Sequence, residues 1–316
     1  AADLALMGYG VTVFEALPVA GGMLRVGVPE YRLPAAIVDR EVQEILDLGV
    51  DLRLNTTVQD LDDLFAQGFE AVLIAVGAHE GKKLPIPGAD LPEVLVNTQF
   101  LRDVRLAELG KTADVSREQV EGKQVLVIGG GNVAIDCART AVRLGARSVA
   151  MACLESREKM PAHQWEIEEA EAEGVGVYPA RSFRRICDEG GHVTGVECLN
   201  VQSMEFDGEG QLKLETEPDS DHVIACDAVI FSIGQRAGLA FIPDDAGVGI
   251  TRQQTIAVNP NTFAATRPGV FAAGDATTGT SFVIEAVAAG HKVSATIHRY
   301  LSCEPLEQRF APDLPV

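Results

Sequence analysis

The sequence has no closely spaced cysteines, few aromatic residues, a shortage of basic residues and no long apolar run. Its six cysteines include no C-x-x-C pair and no zinc-ligand spacing, so we expect no zinc site, iron–sulfur cluster or vicinal dithiol on this chain. Lys and Arg total 26 against 46 acidic residues, and the formal charge of −20 disfavours nucleic acid and anionic membranes as partners. Because no run is long enough to cross a bilayer or to form a signal peptide, we expect a cytoplasmic protein without membrane insertion.

Glycine is abundant instead, with 31 in 316 residues, and it separates short apolar runs. Residues 123–128 form such a run before three consecutive glycines, residues 133–144 are apolar at helical spacing, and residues 149–153 form another strand. This strand–helix–strand order predicts a βαβ unit with a parallel sheet, and therefore an α/β protein. Further predicted elements are short buried strands at 223–232 and 269–273, an amphipathic helix at 282–301 and a solvated helix face at 166–173.

An internal repeat relates the first part of the chain to the middle. The matched segments share a glycine beside a short strand, and they are 6–15 with 143–155, and 74–78 with 231–235. Two copies of one dinucleotide-binding plan explain the match. Gly131 precedes Gly145 by 14 residues, so its counterpart in the first copy falls 14 residues before Gly8, upstream of Ala1. We therefore expect the chain to be part of a longer polypeptide.

The second copy contains a dinucleotide-binding motif, GGGNVA, which starts at Gly129. Gly129 allows the tight turn, Gly131 lets the backbone approach a pyrophosphate at the helix N-terminus, and Ala134 allows close helix–strand packing. Glu155 lies 24 residues beyond Gly131, where a carboxylate accepts the ribose hydroxyls and repels a 2′-phosphate, which favours NAD(H) over NADP(H). Arg157 complicates this interpretation, since an arginine there could pair with a 2′-phosphate. A ligand-free glycine turn and a solvated loop acid are the alternatives.

Two features of the chain ends suggest a second dinucleotide. Glu15 occupies the position in the first copy that corresponds to Glu155 in the second. The segment GGMLR follows at 21–25, where Arg25 could neutralise a pyrophosphate. The run PGVFAAGD delivers Asp275 to the C-terminal end of a predicted strand, where its carboxylate could accept hydrogen bonds from a polyol such as flavin ribityl. The alternatives are an ordinary glycine turn and an N-capping aspartate.

Three segments carry a resemblance to a known family, and they are GGMLRVGVPEYRLP at 21–34, GGGNVAIDCARTAVRLGA at 129–146 and RPGVFAAGDATTG at 267–279. They resemble the flavoproteins related to the small subunit of bacterial glutamate synthase, which include several NAD(P)H-dependent reductases. The resemblance implies two Rossmann-like domains, with an NAD(P) domain at 104–236 inserted into a discontinuous FAD domain at 1–103 and 237–316.

The resemblance also implies the cofactor contacts. FAD would be bound by Glu15, Gly22, Arg25, Gly77, Gly274 and Asp275. The nicotinamide cofactor would be bound by Gly129, Gly131, Asn132, Val133 and Glu155. The predicted cofactor-binding set is completed by Gly21, Met23, Gly130, Arg157 and Gly234.

The chain departs from the family pattern in three ways. Members that use NADPH have two arginines where this chain has Leu154 and Glu155. The cysteine-rich iron–sulfur segment and the first FAD glycine turn are absent from the sequence given. No parts for glutamine hydrolysis or glutamate formation are present, so glutamate synthesis is not inferred.

These observations predict an NADH-dependent FAD oxidoreductase. Hydride would pass from NADH to FAD, and electrons would then pass singly to an iron–sulfur partner or domain, as in a subunit of a larger complex. Because this transfer needs the positioning of two rings, we predict no catalytic proton-transfer residue and no metal site. A thioredoxin-reductase reaction is disfavoured because it needs a dithiol. The alternatives are a redox-silent NAD-binding or scaffold chain that has lost FAD, and the same enzyme using NADPH.

Overall fold

A computed structural model describes residues 1–206 and 212–306, and these residues form two compact units. Unit 1 consists of residues 1–25 and 34–80 together with the described residues from 235 onward. Unit 2 consists of residues 26–33 and 81–234. The predicted bounds 1–103, 104–236 and 237–316 assign a cofactor to each part of the chain, and they stay a prediction.

Helices and strands are interspersed in the first half of the chain, whereas the elements described between residues 176 and 272 are all strands. The helices are α1 Ala2–Leu6, α2 Gly22–Val26, α3 Ala35–Leu46, α4 Leu61–Ala66, α5 Asn97–Glu108, α6 Val115–Val120, α7 Asn132–Arg143, α8 Gln164–Ala172, α9 Asp275–Thr278 and α10 Val283–Leu301. The strands are β1 Thr12–Phe14, β2 Asp51–Arg53, β3 Val72–Ile74, β4 Glu80–Gly81, β5 Val94–Val96, β6 Gln124–Ile128, β7 Ser148–Ala152, β8 Gly176–Tyr178, β9 Arg181–Glu189, β10 His192–Phe206, β11 Leu212–Thr216, β12 His222–Ala225, β13 Ala228–Phe231, β14 Gln235–Arg236 and β15 Val270–Ala272.

Unit 2 is built on a five-stranded parallel sheet in the order β5-β13-β6-β7-β8. Side chains of β6 alternate between two cores: Val125 and Val127 face helices α5, α7 and α8, whereas Leu126 and Ile128 face β9, β10 and β12. Because β6 is covered on both faces, its run is continuously apolar, as expected for a buried parallel strand. The predicted βαβ unit and α/β fold are confirmed here.

The predicted strand at 223–232 is two strands that belong to different sheets. β12 pairs antiparallel with β10, and its residues alternate between half-buried and exposed. β13 is fully buried and pairs parallel with β5 and β6. The chain turns at Asp227, whose backbone N–H donates to the Gln124 carbonyl at 2.7 Å and whose carboxylate accepts the Gln124 N–H at 2.8 Å. The prediction of one buried strand was therefore wrong.

Unit 1 contains two pairs of parallel strands, β1 with β2 and β3 with β15. β15 is buried on both faces, with Val270 and Ala272 in one apolar cluster and Phe271 in another beneath α10. The predicted strand at 269–273 and the predicted helix at 282–301 are confirmed. Helix α1 packs on α10, and the Asp3 carboxylate accepts the Ser294 hydroxyl at 2.8 Å.

The internal repeat is visible in the backbone of both units. Helices α1 and α7 are each followed by a glycine, Gly8 with φ 91° and Gly145 with φ 90°. The Tyr9 N–H donates to Leu4, and the Ala146 N–H donates to Ala141, so both helices end with the same hydrogen-bond pattern. Strands β1 and β7 then follow, as the alignment of the two segments predicts.

Candidate nucleotide-binding sites

The glycine turn of unit 2 connects β6 to α7. Gly129 has φ 146°, and a Cβ atom there would lie 2.1 Å from the Ser232 carbonyl oxygen, so a side chain does not fit. That Cβ would also lie 3.4 Å from the Cβ of Ala134, which is fully buried. Gly131 precedes α7 and has open space where a Cβ would point. The turn is thus tight at Gly129 and leaves the backbone at Gly131 open, as the binding of a pyrophosphate requires.

A neighbouring loop braces this turn. The Ala162 N–H donates to the Gly130 carbonyl at 3.0 Å, and the His163 N–H donates to the Asn132 side-chain oxygen at 3.0 Å. Asn132 and the half-buried Val133 are the first two residues of α7, so their backbone N–H groups lie at the positive end of the helix dipole. The Asn132 side chain therefore stabilises the loop, and the backbone N–H of Asn132 is the group available to a ligand.

Glu155 lies beside the glycine turn. A Cβ atom at Gly130 would lie 3.2 Å from a Glu155 carboxylate oxygen and 3.0 Å from the Cys153 sulfur. The Glu155 carbonyl accepts the Ala180 N–H at 2.7 Å, which fixes the loop after β7. The structure thus brings the predicted ribose-binding acid to the predicted pyrophosphate turn, although the two are separated in sequence.

Arg157 extends away from this loop toward α8. It begins a single 3-10 turn, Arg157–Lys159, and its Nη2 atom donates to Glu171 at 2.6 Å. The pair is partly exposed, with 29% of the Arg157 side chain and 42% of the Glu171 side chain accessible. Arg157, two residues after Glu155, is therefore already paired with a carboxylate.

Gly234 lies three residues after β13, the strand that pairs with β6, and directly precedes β14. It has φ 107°, and Ser232, two residues earlier, forms the carbonyl wall against Gly129. The Ser232 N–H donates to Ile128 at 2.8 Å, which ties the ends of β13 and β6 together. In open parallel sheets, ligands bind at the carboxyl ends of such neighbouring strands. Sequence reasoning missed Ser232, whose contact with Gly129 no local pattern reveals.

The first candidate site of unit 1 lies after β1. A Glu15 carboxylate oxygen accepts the Leu17 N–H at 2.8 Å. A Cβ atom at Gly21 would lie 2.7 Å from Cγ1 of Val38, whereas Gly22 has φ 53° and open space where a Cβ would point. Met23 follows on α2 and is half-buried. Gly22 thus leaves its backbone accessible, which fits the close passage of a dinucleotide.

Arg25 is buried, and its guanidinium lies 3.1 Å from an Asp39 carboxylate oxygen. The contact with Asp39 already uses part of the positive charge that was expected to meet a pyrophosphate. A role of Arg25 in binding FAD therefore stays a prediction.

The second candidate site of unit 1 is formed at the ends of β3 and β15. Gly77 has φ 68° and open space where a Cβ would point. Gly274 has φ 69° and precedes Asp275, the first residue of α9. Burial raises the pKa of the Asp275 carboxyl, an effect opposed by the Ser281 N–H that donates to it and reinforced by nearby Glu285. Asp275 is thus a half-buried acceptor next to an open glycine backbone, which fits a polyol chain.

An ionic cluster in unit 2 was not predicted from the sequence. Arg32 donates to Asp136 through Nε and to Glu166 at 3.0 Å through Nη1, and the Tyr31 hydroxyl donates to Asp136 at 3.1 Å. Only 7% of the Glu166 side chain is accessible, so the prediction of a solvated helix face over 166–173 was wrong at this residue. Its partner Arg32 belongs to residues 26–33, far away in the sequence.

Residues 1–206 and 212–306 contain no candidate metal site, membrane-spanning helix or disulfide. No group of three His, Cys, Asp or Glu side chains in this part of the chain could hold a metal ion. No helix described there is long and apolar enough to span a membrane. All six cysteines are described, and none forms a disulfide.

The sequence of this chain is similar to those of known proteins. The family profile described as pyridine nucleotide-disulphide oxidoreductase matches residues 34–290. The chain is 41% identical over 303 residues to "NADP(+)-dependent formate dehydrogenase subunit beta" of Moorella thermoacetica, covering 95% of this chain and 41% of that relative. It is 34% identical over 309 residues to "Putative glutamate synthase [NADPH] small chain" of Cereibacter sphaeroides, covering 93% of this chain and 72% of the relative. It thus spans about two fifths of the first of these proteins.

A solved structure shares the fold. Mycobacterium tuberculosis FprA in complex with NADPH superimposes with a TM-score of 0.78 at 18% identity, covering 96% of this chain and 82% of FprA. The fold of two dinucleotide-binding domains is therefore confirmed. Together with the profile match and the glycine turns, this places the chain in the pyridine nucleotide-disulphide oxidoreductase family, among the NAD(P)H-dependent flavoproteins similar to the glutamate synthase small chain.

Proposed function

We propose that this chain is the NADH-oxidising flavoprotein module of a larger electron-transfer enzyme. Unit 1 would bind FAD through the open glycine positions near Glu15, Gly77 and Asp275, and unit 2 would bind NADH at the turn that starts at Gly129. The chemistry that FAD supplies when bound is acceptance of a hydride and release of its electrons one at a time. The acceptor would be an iron–sulfur partner or domain. The relatives named as a formate dehydrogenase subunit and a glutamate synthase small chain support a role within a larger complex.

The preference for NADH depends on the carboxylate of Glu155. Its oxygen lies 3.2 Å from the Cβ position of Gly130, and in dinucleotide-binding folds an acid roughly 20 residues beyond the glycine turn binds the adenosine ribose. A carboxylate there accepts ribose hydroxyls and opposes the added charge of a 2′-phosphate. Hydrogen bonds to a charged acceptor contribute about 1.5–3 kcal/mol each, so the expected discrimination is at least roughly tenfold.

The other protein groups shape the glycine turn and orient the cofactors. The Ser232 carbonyl and the Ala162 N–H fix the shape of the glycine turn, and the N-terminus of α7 offers unpaired N–H groups to the pyrophosphate. Asp275 would orient the ribityl chain of the flavin. No side chain moves a proton in this proposal, because positioning the two rings accounts for the transfer.

Use of NADPH is the second candidate, and one observation favours it: the two relatives described above are named for NADP(+) and NADPH. Arg157 could then contact the 2′-phosphate if it left Glu171. The alternative of a redox-silent scaffold applies if the chain does not retain FAD.

Two measurements test the proposal. The purified full chain, supplied with FAD, should show the visible bands of oxidised flavin, and a chain that stays colourless would support the scaffold. Anaerobic reduction of the flavin should be faster with NADH than with NADPH at equal concentration. Glu155→Gln should slow reduction by NADH, whereas Glu158→Gln, an exposed acid on the same loop, should not. Faster reduction by NADPH in the wild type would refute the preference.

A further inference from the structure

We infer that Glu171 is a positioning residue for cofactor choice, because it holds the Arg157 guanidinium away from a 2′-phosphate. The inference rests on the proposed function, since it assumes that a nicotinamide dinucleotide binds beside Glu155. It concerns a residue on α8 that no motif marks. Its consequence is that rejection of NADPH depends on two acids, Glu155 directly and Glu171 through Arg157.

The geometry supports a captured arginine. Arg157 lies two residues after Glu155, in the 3-10 turn that follows the ribose-binding loop. Its Nη2 atom donates to a Glu171 oxygen at 2.6 Å. Since Glu171 lies in the last turn of a helix and Arg157 in a loop, the helix provides the fixed partner and the arginine is the side chain that is held.

A 2′-phosphate would compete with Glu171 for the same cation. A phosphomonoester carries nearly two negative charges at neutral pH and binds guanidinium groups strongly. To bind it, Arg157 would have to leave Glu171, whose carboxylate would then lose this ion pair. The ion pair therefore disfavours NADP(H) without contacting the ligand.

The pair is suited to a test because its contribution to folding is small. With 29% and 42% of the two side chains accessible, solvent screens their interaction. Glu171→Gln removes the charge and keeps the size of the side chain, so the chain should still fold. Equal urea midpoints of variant and wild type would establish this.

The experiment measures binding of two probes to the full chain, 5′-AMP and adenosine 2′,5′-bisphosphate, by isothermal titration calorimetry. Glu171→Gln should tighten binding of the bisphosphate by about two- to fivefold, the range open to an exposed ion pair. Binding of 5′-AMP should be unchanged. The gain should disappear in Arg157→Gln/Glu171→Gln, because no guanidinium remains to be released.

Glu168→Gln is the matched control, since Glu168 is an exposed carboxylate on the same helix and pairs with Gln164 at 2.9 Å. An equal gain in this control, or a gain that persists without Arg157, would mean that general charge explains the effect and would overturn the inference. No gain in Glu171→Gln would also overturn it.

These outcomes are separate from the proposed function. If the wild type already binds the bisphosphate more tightly than 5′-AMP, the preference for NADH fails. The inference still holds in that case if Glu171→Gln increases the discrimination further and only in the presence of Arg157.

Discussion

Replacing Arg32 with methionine tests the ionic cluster that joins residues 26–33 to the rest of unit 2. Arg32 contacts both Asp136 and Glu166, whose side chains are 14% and 7% accessible. Methionine keeps the apolar stem of the side chain and removes the positive charge. Two neighbouring buried carboxylates would then remain without the guanidinium between them.

The expected cost is large for a single substitution. Removing one partner of a buried ion pair typically lowers the free energy of unfolding by about 3–5 kcal/mol. Because Arg32 serves two carboxylates, we expect the variant to reach this range at neutral pH. Arg147→Met is the control within unit 2, since Arg147 and Asp227 are 58% and 44% accessible and such pairs contribute about 1 kcal/mol or less.

Urea unfolding followed by tryptophan fluorescence provides the measurement. Trp165 is the only tryptophan in the chain, and the Arg32 guanidinium lies 5.9 Å from its ring centre, so its signal reports on unit 2. A loss for Arg32→Met no greater than that for Arg147→Met would refute the reasoning.

The pH dependence gives a second readout with a defined sign. In the wild type, burial raises the pKa of the Asp136 carboxyl, and the charge of Arg32 and its hydrogen bond oppose that increase. Without Arg32 the folded-state pKa rises further, so the folded variant binds a proton more tightly than the unfolded chain. The loss in its free energy of unfolding, relative to the wild type, should therefore be largest at neutral pH. This loss should shrink as the pH falls through the raised pKa. The double variant Arg32→Met/Asp136→Asn should recover part of the loss at neutral pH.

Two further predictions concern the glycine turn and the cysteines. Gly129→Ala should lower the free energy of unfolding by about 1–3 kcal/mol or more, because the added Cβ collides with the Ser232 carbonyl. Gly131 has open space where a Cβ would point, so Gly131→Ala should leave urea unfolding unchanged. It should weaken 5′-AMP binding in calorimetry. In a native thiol titration the exposed Cys303 should react first, and Cys153, whose pKa burial raises to about 12, should react only after unfolding; rapid labelling of Cys153 in the folded chain would contradict this.

The features that the sequence predicted well are local ones. The turn at Gly129 and the helix after it follow from steric rules that act within a few residues, and the structure shows the collision that requires glycine there. The repeat placed Gly8 and Gly145 at equivalent positions because both helices end with the same short-range hydrogen bonds. The position of Glu155 beside the turn was predictable because parallel strands end at the same edge of a sheet.

The features that the sequence concealed depend on distant partners. Glu166 lies in an acid-rich run, which predicts a solvated helix face. Its burial depends on Arg32, 134 residues away in the sequence. The division of 223–232 into two strands depends on the hydrogen bonds of Asp227 with Gln124, 103 residues away. No periodicity within a window records such contacts, so apolar pattern alone gave one buried strand in place of two.

The path of residues 26–33 limits how this protein can be dissected. These eight residues lie outside 81–234 in sequence, yet they supply Arg32 to the carboxylates of α7 and α8. A chimera that exchanged only 81–234 for the corresponding region of a relative would keep the original Arg32 and acquire foreign partners for it. Recombination between relatives should therefore succeed when the two segments are transferred together, and compatible crossover points must be chosen in pairs.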